Sequence, residues 1–394
     1  MKKNCIVVLF LCSGTLCLSQ GFRNPPQSIS SLSQAGAFIA QCDDASAVSI
    51  NPAGLTQIKG RQIIFGNTFI LSSTRYNGYG TGESKKFNPA FLPHFYYATD
   101  LGKENFKLGI GLTSPYGQST EWDKAFTRTV WNYNVPYYSA MQCVDLTSAF
   151  AFKVNPEFSA GIGINFYYSR IVQNQLLPPS VFPYETVLKM EGRGSAVSPQ
   201  IGFLYRRGKY SIGLTYNKGF EIGYNGKFRH LRKYAIKEYD ADLKMKYPGI
   251  TGIGIAFYPN KDLKIEFDTE FIEYSCLDKI PFSINSSEST QIKKWKDCFT
   301  FSLGTEYKAS ERIKLRGGIG YIESPVPDET FDPTLPDADR FVFSIGSEIK
   351  TKVGDLQFAL NYSIFRNRKI EDKVYSGKYK SKGYFISIGY KREI

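Results

Sequence analysis

The most persistent signal along this chain is an alternation of apolar with small or polar residues, broken at intervals by turn-forming clusters. Between Phe158 and Ser169 one set of positions reads Phe158, Ala160, Ile162, Ile164, Phe166 and Tyr168, and the other Ser159, Gly161, Gly163, Asn165, Tyr167 and Ser169. Successive side chains of a strand leave opposite faces, so a period of two predicts a strand with one apolar and one polar face. Phe299, Phe301, Leu303 and Tyr307 repeat the pattern against Thr300, Ser302, Glu306 and Lys308. Leu263, Ile265, Phe267 and Phe271 repeat it against Lys264, Glu266, Asp268 and Glu270, a charged row that suits a lumen-facing strand face. Fourteen such segments start near Gln62, Asn88, Asn105, Tyr137, Phe158, Lys189, Tyr210, Tyr247, Leu263, Trp295, Ile313, Arg340, Asp355 and Lys378. The alternation by itself fits a soluble sandwich as well as a barrel whose apolar faces meet lipid.

Connection lengths separate the two. Short turns at 100–104, 155–157, 207–209, 259–262 and 309–311 alternate with long connections at 74–87, 115–136, 173–188, 226–246, 277–294, 323–339 and 369–377. Short turns on one side and long loops on the other, with an even strand number, characterise outer-membrane barrels. The expected fold is therefore all-β: a fourteen-stranded antiparallel transmembrane barrel over 61–394. The final strand runs to the C-terminus, with Tyr384, Ile386, Ile388 and Tyr390 on one face, and is expected to pair with the first. Residues 20–60 lack sustained alternation. They are read as a compact hatch inside the barrel, because fourteen strands enclose a space too wide for wall side chains alone to fill.

The N-terminus adds a route to the envelope. Lys2 and Lys3 precede a short apolar run from Ile6 to Leu18, and Cys17 and Ser19 are small enough for a cleavage site before Gln20. Residues 1–19 are read as a signal peptide, too short for the roughly 20 residues of a membrane helix. Of 394 residues 15% are aromatic, with 27 Tyr, 30 Phe and 35 Gly, which suits a sheet presenting rings and tight turns. Mean hydropathy of −0.27 excludes a bundle of membrane helices but not a barrel, where alternate residues meet lipid.

Candidate chemistry changes little. The net charge of +13 is dispersed along the chain, which argues against a nucleic-acid partner and for solvated loops near anionic lipid head groups. Cys42, Cys143, Cys276 and Cys298 remain after the signal; none forms a CxxC pair, so no metal or cofactor is expected. Cys276 and Cys298 flank one loop and are placed to bridge or to stay unpaired. The two histidines, His94 and His230, lie in no hydrolase context, and no enzyme is expected.

Four segments, in order, carry a resemblance. AQCDDASAVSINPAGL at 40–55, LTSPYGQSTEW at 112–122, WKDCFTFSLGTEY at 295–307, and SPVPD at 324–328 with LPDADR at 335–340 resemble the FadL/TodX family of outer-membrane transporters for long-chain fatty acids and hydrophobic compounds. The resemblance implies a hatch ending in Asn-Pro-Ala, ligand capture among extracellular loops, and exit through a wall gap beside a kinked third strand. Its partners would be a long-chain fatty acid or similar small hydrophobic ligand and outer-membrane lipid, with the chain a monomer. Ile394 departs from the aromatic C-terminus common in such barrels.

Candidate sites follow. Asn51, Pro52, Ala53 and Gly54 form either a gate or a rigid turn into the first strand. Pro115, Tyr116 and Gly117 either interrupt pairing of the third strand or mark its exit. Leu176, Leu177, Phe182, Tyr184, Phe228, Leu231 and Tyr234, in the connections after the fifth and seventh strands, either contact ligand or pack the loops together. Arg170 and Arg229 are candidates to bind a carboxylate. A plugged scaffold, adhesin or secretion component is the alternative function.

Overall fold

The computed structural model describes residues 21–84, 90–102, 105–180, 186–232, 235–371 and 374–394. The expected signal peptide at 1–19 lies outside them, as do Phe182, Tyr184 and Tyr234. Fourteen strands form the wall: β1 (Arg61–Gly78), β2 (Ala90–Thr99), β3 (Phe106–Glu121), β4 (Tyr138–Lys153), β5 (Phe158–Leu177), β6 (Thr186–Arg207) and β7 (Tyr210–Asn217). They continue with β8 (Ile250–Phe257), β9 (Leu263–Ile272), β10 (Cys298–Lys308), β11 (Ile313–Ile322), β12 (Arg340–Lys350), β13 (Asp355–Phe365) and β14 (Gly377–Glu393). Each pairs antiparallel with the next, and β14 pairs with β1 from Gln62 opposite Glu393 to Gly78 opposite Gly377. Closure removes the unpaired edges that hydrocarbon cannot hydrate.

The faces decide what surrounds the barrel. Outward positions are apolar and exposed: Ile162 at 57%, Ile164 at 60%, Phe341 at 56% and Ile345 at 62%. Inward positions are polar and buried, among them Thr147, Asn165, Gln200, Thr215, Glu266, Asp268, Asn361 and Ser387. A soluble barrel would place these groups the other way round, so the outer face is solvated by lipid. Among the described residues no helix is long and apolar enough to cross a membrane; the strands do so.

The long connections hold more order than expected. The connection read as 226–246 is instead a hairpin of Phe220–Arg232 with Ala235–Tyr247, continuing the sheet above the wall. Its first strand pairs with β6, and its second pairs with a further hairpin, Lys279–Ile284 with Ser287–Ile292. The cause is again a period of two: Ile222, Tyr224, Phe228, Leu243 and Met245 are buried while Glu221, Asn225, Asp242 and Lys244 are exposed. β5 likewise extends through 173–177. Cys276 and Cys298 do not bridge; both are free thiols. The 3-10 turn Tyr274–Leu277 buries Tyr274 and Leu277 and leaves Cys276 half-exposed, whereas Cys298 is buried at the start of β10.

Ile164→Arg places a charge at mid-strand on the lipid face and is expected to destabilise the inserted barrel by about 2–4 kcal/mol. Guanidinium unfolding from phospholipid vesicles measures the change; an equal cost at an exposed loop position such as Val353 would contradict the assignment of faces.

Candidate functional site

Residues 21–58 fill the lumen. They form little regular structure: α1 (Ile29–Leu32), α2 (Ala47–Ile50) and a 3-10 turn Pro52–Gln57. Such a segment leaves backbone N–H groups needing acceptors, and buried N–H groups are rarely left alone. The wall supplies them from the charged row on β9. The Asp268 carboxylate accepts from the backbone N–H of Phe38 at 2.7 Å and Ile39 at 2.8 Å, and Glu266 accepts from Ala40 at 2.5 Å and Gln41 at 2.8 Å. Glu270 receives two bonds from the Arg23 guanidinium, at 2.5 and 2.8 Å.

A second set of charges ties the hatch down nearer the short-turn end. Lys264 bonds Asp43 at 2.6 Å and Glu306 at 2.8 Å; Arg316 joins Glu306 at 2.7 Å to Glu348 at 2.9 Å, and Lys391 reaches Glu348 at 2.6 Å. Burial alone would raise the Asp43 carboxyl, but the Lys264 and Lys314 ammonium groups hold it below the usual carboxylate range.

Asn51 is wholly buried. Its Nδ2 donates to the carbonyl oxygens of Ile39 at 2.9 Å and Phe203 at 3.1 Å, and its Oδ1 accepts from the Ala53 N–H at 3.2 Å. Pro52 opens the 3-10 turn, where a missing N–H costs nothing. The turn lies directly on two wall glycines. A Cβ at Gly161 would come within 2.5 Å of the Pro52 carbonyl carbon, and one at Gly202 would overlap the Asn51 side chain. Gly54 packs in the same way on Cys42. Asn51, Pro52, Ala53 and Gly54 therefore sit against β5 and β6, near the short-turn end, and none of them bonds to β3.

β3 does interrupt its pairing. Thr113 stands opposite Asp145 and Tyr116 opposite Cys143, so Ser114 and Pro115 together face Val144, a one-residue bulge. On its other side β3 pairs with β2 only from Leu108 to Leu112, while Ala90–His94 of β2 pair with β1 alone. Pro93 and Pro115, neither with an N–H to donate, flank the interruption. The backbone groups freed on β3 are taken by the hatch. Asn24 N–H donates to the Pro115 oxygen at 2.8 Å, Gly117 N–H donates to the Phe22 oxygen at 3.1 Å, and the Asn24 side chain donates to the Ser114 oxygen at 2.7 Å. Gln27 completes the set, accepting from Ser114 N–H at 2.6 Å and donating to the Ser114 oxygen.

Behind the interruption lies a cavity of about 580 Å³, within the range of small-molecule sites. Leu92 and Pro93 line it from β2, Tyr116 from β3, Met141 from β4, Phe385 from β14 and Arg23 from the hatch. Phe22 is buried beside it in an aromatic box, with ring centroids 5.5 Å from Tyr116, 4.6 Å from Tyr247, 5.7 Å from Tyr274 and 5.9 Å from Trp295. Phe22, Arg23, Asn24 and Gln27 were not singled out from sequence. They lie where the chain has no alternation to read, and the only local cue is Pro25-Pro26, which holds the stretch extended.

The remaining candidates divide. Leu177 and Phe228 are buried in the apolar cluster that contains Phe22, Leu176 is buried outside it, and Leu231 is half-buried. Arg170 and Arg229 point the wrong way for a ligand in the cavity. Arg170 shares the outward face of Ile162, Ile164, Phe166 and Tyr168, and Arg229 alternates with the inward Phe228 and His230. Both meet the carboxylate of Glu191, at 2.6 and 3.6 Å.

A closed, plugged barrel with an apolar outer face and an interrupted third strand defines an outer-membrane transport protein. The chain belongs to the outer membrane protein transport protein family (OMPP1/FadL/TodX), whose model matches residues 10–393. It is 23% identical to the long-chain fatty acid transport protein of Escherichia coli K12, over 98% of this chain and 97% of that one. It is 21% identical to outer membrane protein P1 of Haemophilus influenzae, over 85% and 83%. A FadL homologue of Pseudomonas aeruginosa has the same fold, with a TM-score of 0.82 at 17% identity over 94% of this chain and 99% of that one. So does the toluene transporter TodX of Pseudomonas putida, at 0.75 and 15% over 95% and 99%. Members of this family are transporters and channels, not enzymes.

Replacing Glu266 and Asp268 together by Ala removes the acceptors of four hatch N–H groups, each worth about 1–3 kcal/mol when buried without a partner. The hatch is expected to loosen, seen as faster proteolysis between residues 21 and 58 and higher conductance in planar bilayers. Unchanged values for both would show that the β9 carboxylates do not hold it.

Proposed function

We propose that this chain carries small hydrophobic molecules, long-chain fatty acids first among them, across the outer membrane and releases them sideways into lipid between β2 and β3. Residues 1–19 would direct export and be removed before Gln20, and the apolar cluster of the extracellular extensions, with Leu177 and Phe228, would take the ligand first. The single observation that carries the reading is the interrupted pairing of β3 beside a cavity whose mixed lining includes Leu92, Met141 and Phe385.

The physics favours such a route. A water-filled pore would expose an acyl chain at about 0.8 kcal/mol per CH₂, and a lateral exit avoids that cost. The names of the relatives agree in kind: one is a fatty acid transport protein and another a toluene transporter. The candidate gate shifts accordingly, from Asn51, Pro52, Ala53 and Gly54 to the Phe22–Gln27 stretch that bonds Ser114, Pro115 and Gly117. Asn51 to Gly54 act as the anchor against which that stretch moves.

Deleting Pro115 restores a one-to-one register between β3 and β4 and lets β3 continue toward β2. In cells lacking other such transporters, uptake of labelled oleate is expected to fall at least tenfold while the protein still shifts in mobility on heating as a folded barrel does. Uptake at the parental rate would overturn lateral release, and no uptake by the unaltered chain would favour a plugged scaffold.

A further inference from the structure

The outer face of β14 changes character along its length. Ile388, Ile386 and Tyr384 are exposed to lipid, with Tyr384 stacked on Tyr362 of β13 at 4.7 Å, and the same face then presents Lys382, Lys380 and Lys378, all exposed. Three ammonium groups thus rise one above another directly over the apolar band, on the side of the long connections. Among the described residues no carboxylate lies within ion-pair distance of any of them. Their neighbours add to the charge: Arg75 of β1 stands directly opposite Lys380, and Lys369 directly opposite Lys378.

Like charges directly across a strand pair repel. Arg75 and Lys369 each have a carboxylate, Glu83 at 3.1 Å and Glu371 at 2.5 Å, so the uncompensated charge is that of the three lysines. Repulsion at this height calls for an anion from outside the chain. On the far side of the barrel the arrangement recurs. Arg170 stands above Tyr168 on the lipid face and directly opposite Arg193, and Glu191 is the carboxylate nearest both.

We propose that Lys378, Lys380 and Lys382 bind the phosphate groups of an outer-leaflet glycolipid whose acyl chains lie on Tyr384, Ile386 and Ile388 below. The height selects the ligand. A phosphate attached to acyl chains is held at the upper edge of the apolar band, where the three ammonium groups are, and its chains are covered by the same strand. A free phosphate ion gains only the charge contact, which solvent and salt screen. Lys378 and Lys380 lie away from the transport route, while Lys382 also borders the cavity beside the break in β3.

The test uses the full mature chain refolded in detergent and a fluorescent, diphosphorylated, hexa-acylated lipid A, read by anisotropy. The triple variant K378Q/K380Q/K382Q is expected to bind at least tenfold more weakly, and fully dephosphorylated lipid A should weaken to a similar degree on the unaltered chain. K350Q/K352Q/R392Q, which removes exposed charge at the opposite end, should bind within twofold of the parent. Equal binding by the triple variant, or by dephosphorylated lipid A, would overturn the proposal, as would displacement by an equal concentration of inorganic phosphate. Heat-dependent mobility reports folding; if the triple variant fails that check, K380Q alone is expected to weaken binding two- to threefold, and no change there would overturn the proposal too.

Discussion

A backbone amide in hydrocarbon has no water to fall back on, and every other feature of this molecule answers to that constraint. Fourteen strands meet it by closing on themselves, with β14 paired to β1 along its whole length. Where the wall is broken, at Ser114 and Pro115, the freed groups are not abandoned. Phe22, Asn24 and Gln27 take them, so the hatch is part of the hydrogen-bonding of the wall as well as a stopper in its lumen. The same accounting explains β9. A hatch with two one-turn helices cannot satisfy its own amides, and Glu266 and Asp268 each accept two of them.

The meaning of inside changes with height. Through the membrane, β5 turns Ile162, Ile164 and Phe166 outward and Gly161, Gly163 and Asn165 inward. Above it the strand keeps its period, and inward positions include Ile171 and Leu177 beside Gln173 and Gln175, joined by Phe228, Leu243 and Met245 from the extracellular hairpin. One alternation thus serves two solvents. Lipid outside and polar hatch inside govern the lower part, water outside and an apolar interior the upper part. In the proposed route this apolar chamber above a polar plug holds the ligand, and the break in the wall is its way out.

What could be read from residues alone follows from which features are periodic. All fourteen wall strands were visible because each must present lipid on every second residue, and the mismatches are confined to ends such as Tyr247, where the strand starts at Ile250. The hairpin Phe220–Arg232 with Ala235–Tyr247 carries the same period but falls within the stretch whose length suits a long connection. Parity with Ile162 and Tyr168 likewise puts Arg170 on the outer face. The hatch contacts are a different matter. Nothing local in Arg23 or Asn24 tells that the partners are Glu270 and Pro115, because those contacts span the chain and obey no repeat.

The proposed anchor and gate are also separated along the hatch, and that separation has a mechanical consequence. Asn51 is held by carbonyls of the hatch and of β6, its turn is seated on glycines 161 and 202 with no room for a Cβ, and Asp43 is tied through Lys264 to buried charges. The Phe22–Gln27 stretch is held by bonds to Ser114, Pro115 and Gly117 of β3, by Tyr274, and by one bidentate ion pair, Arg23 with Glu270. Those bonds can be exchanged locally, since Ser114 and Gly117 also line the cavity. In the proposed route, therefore, the far end of the hatch stays fixed while its first residues yield. A ligand entering the aromatic box would displace Phe22 first, and Phe22 is one residue from the ion pair and two from Asn24. On that proposal the wall and the ligand compete for the same six residues, and the ligand itself works the gate.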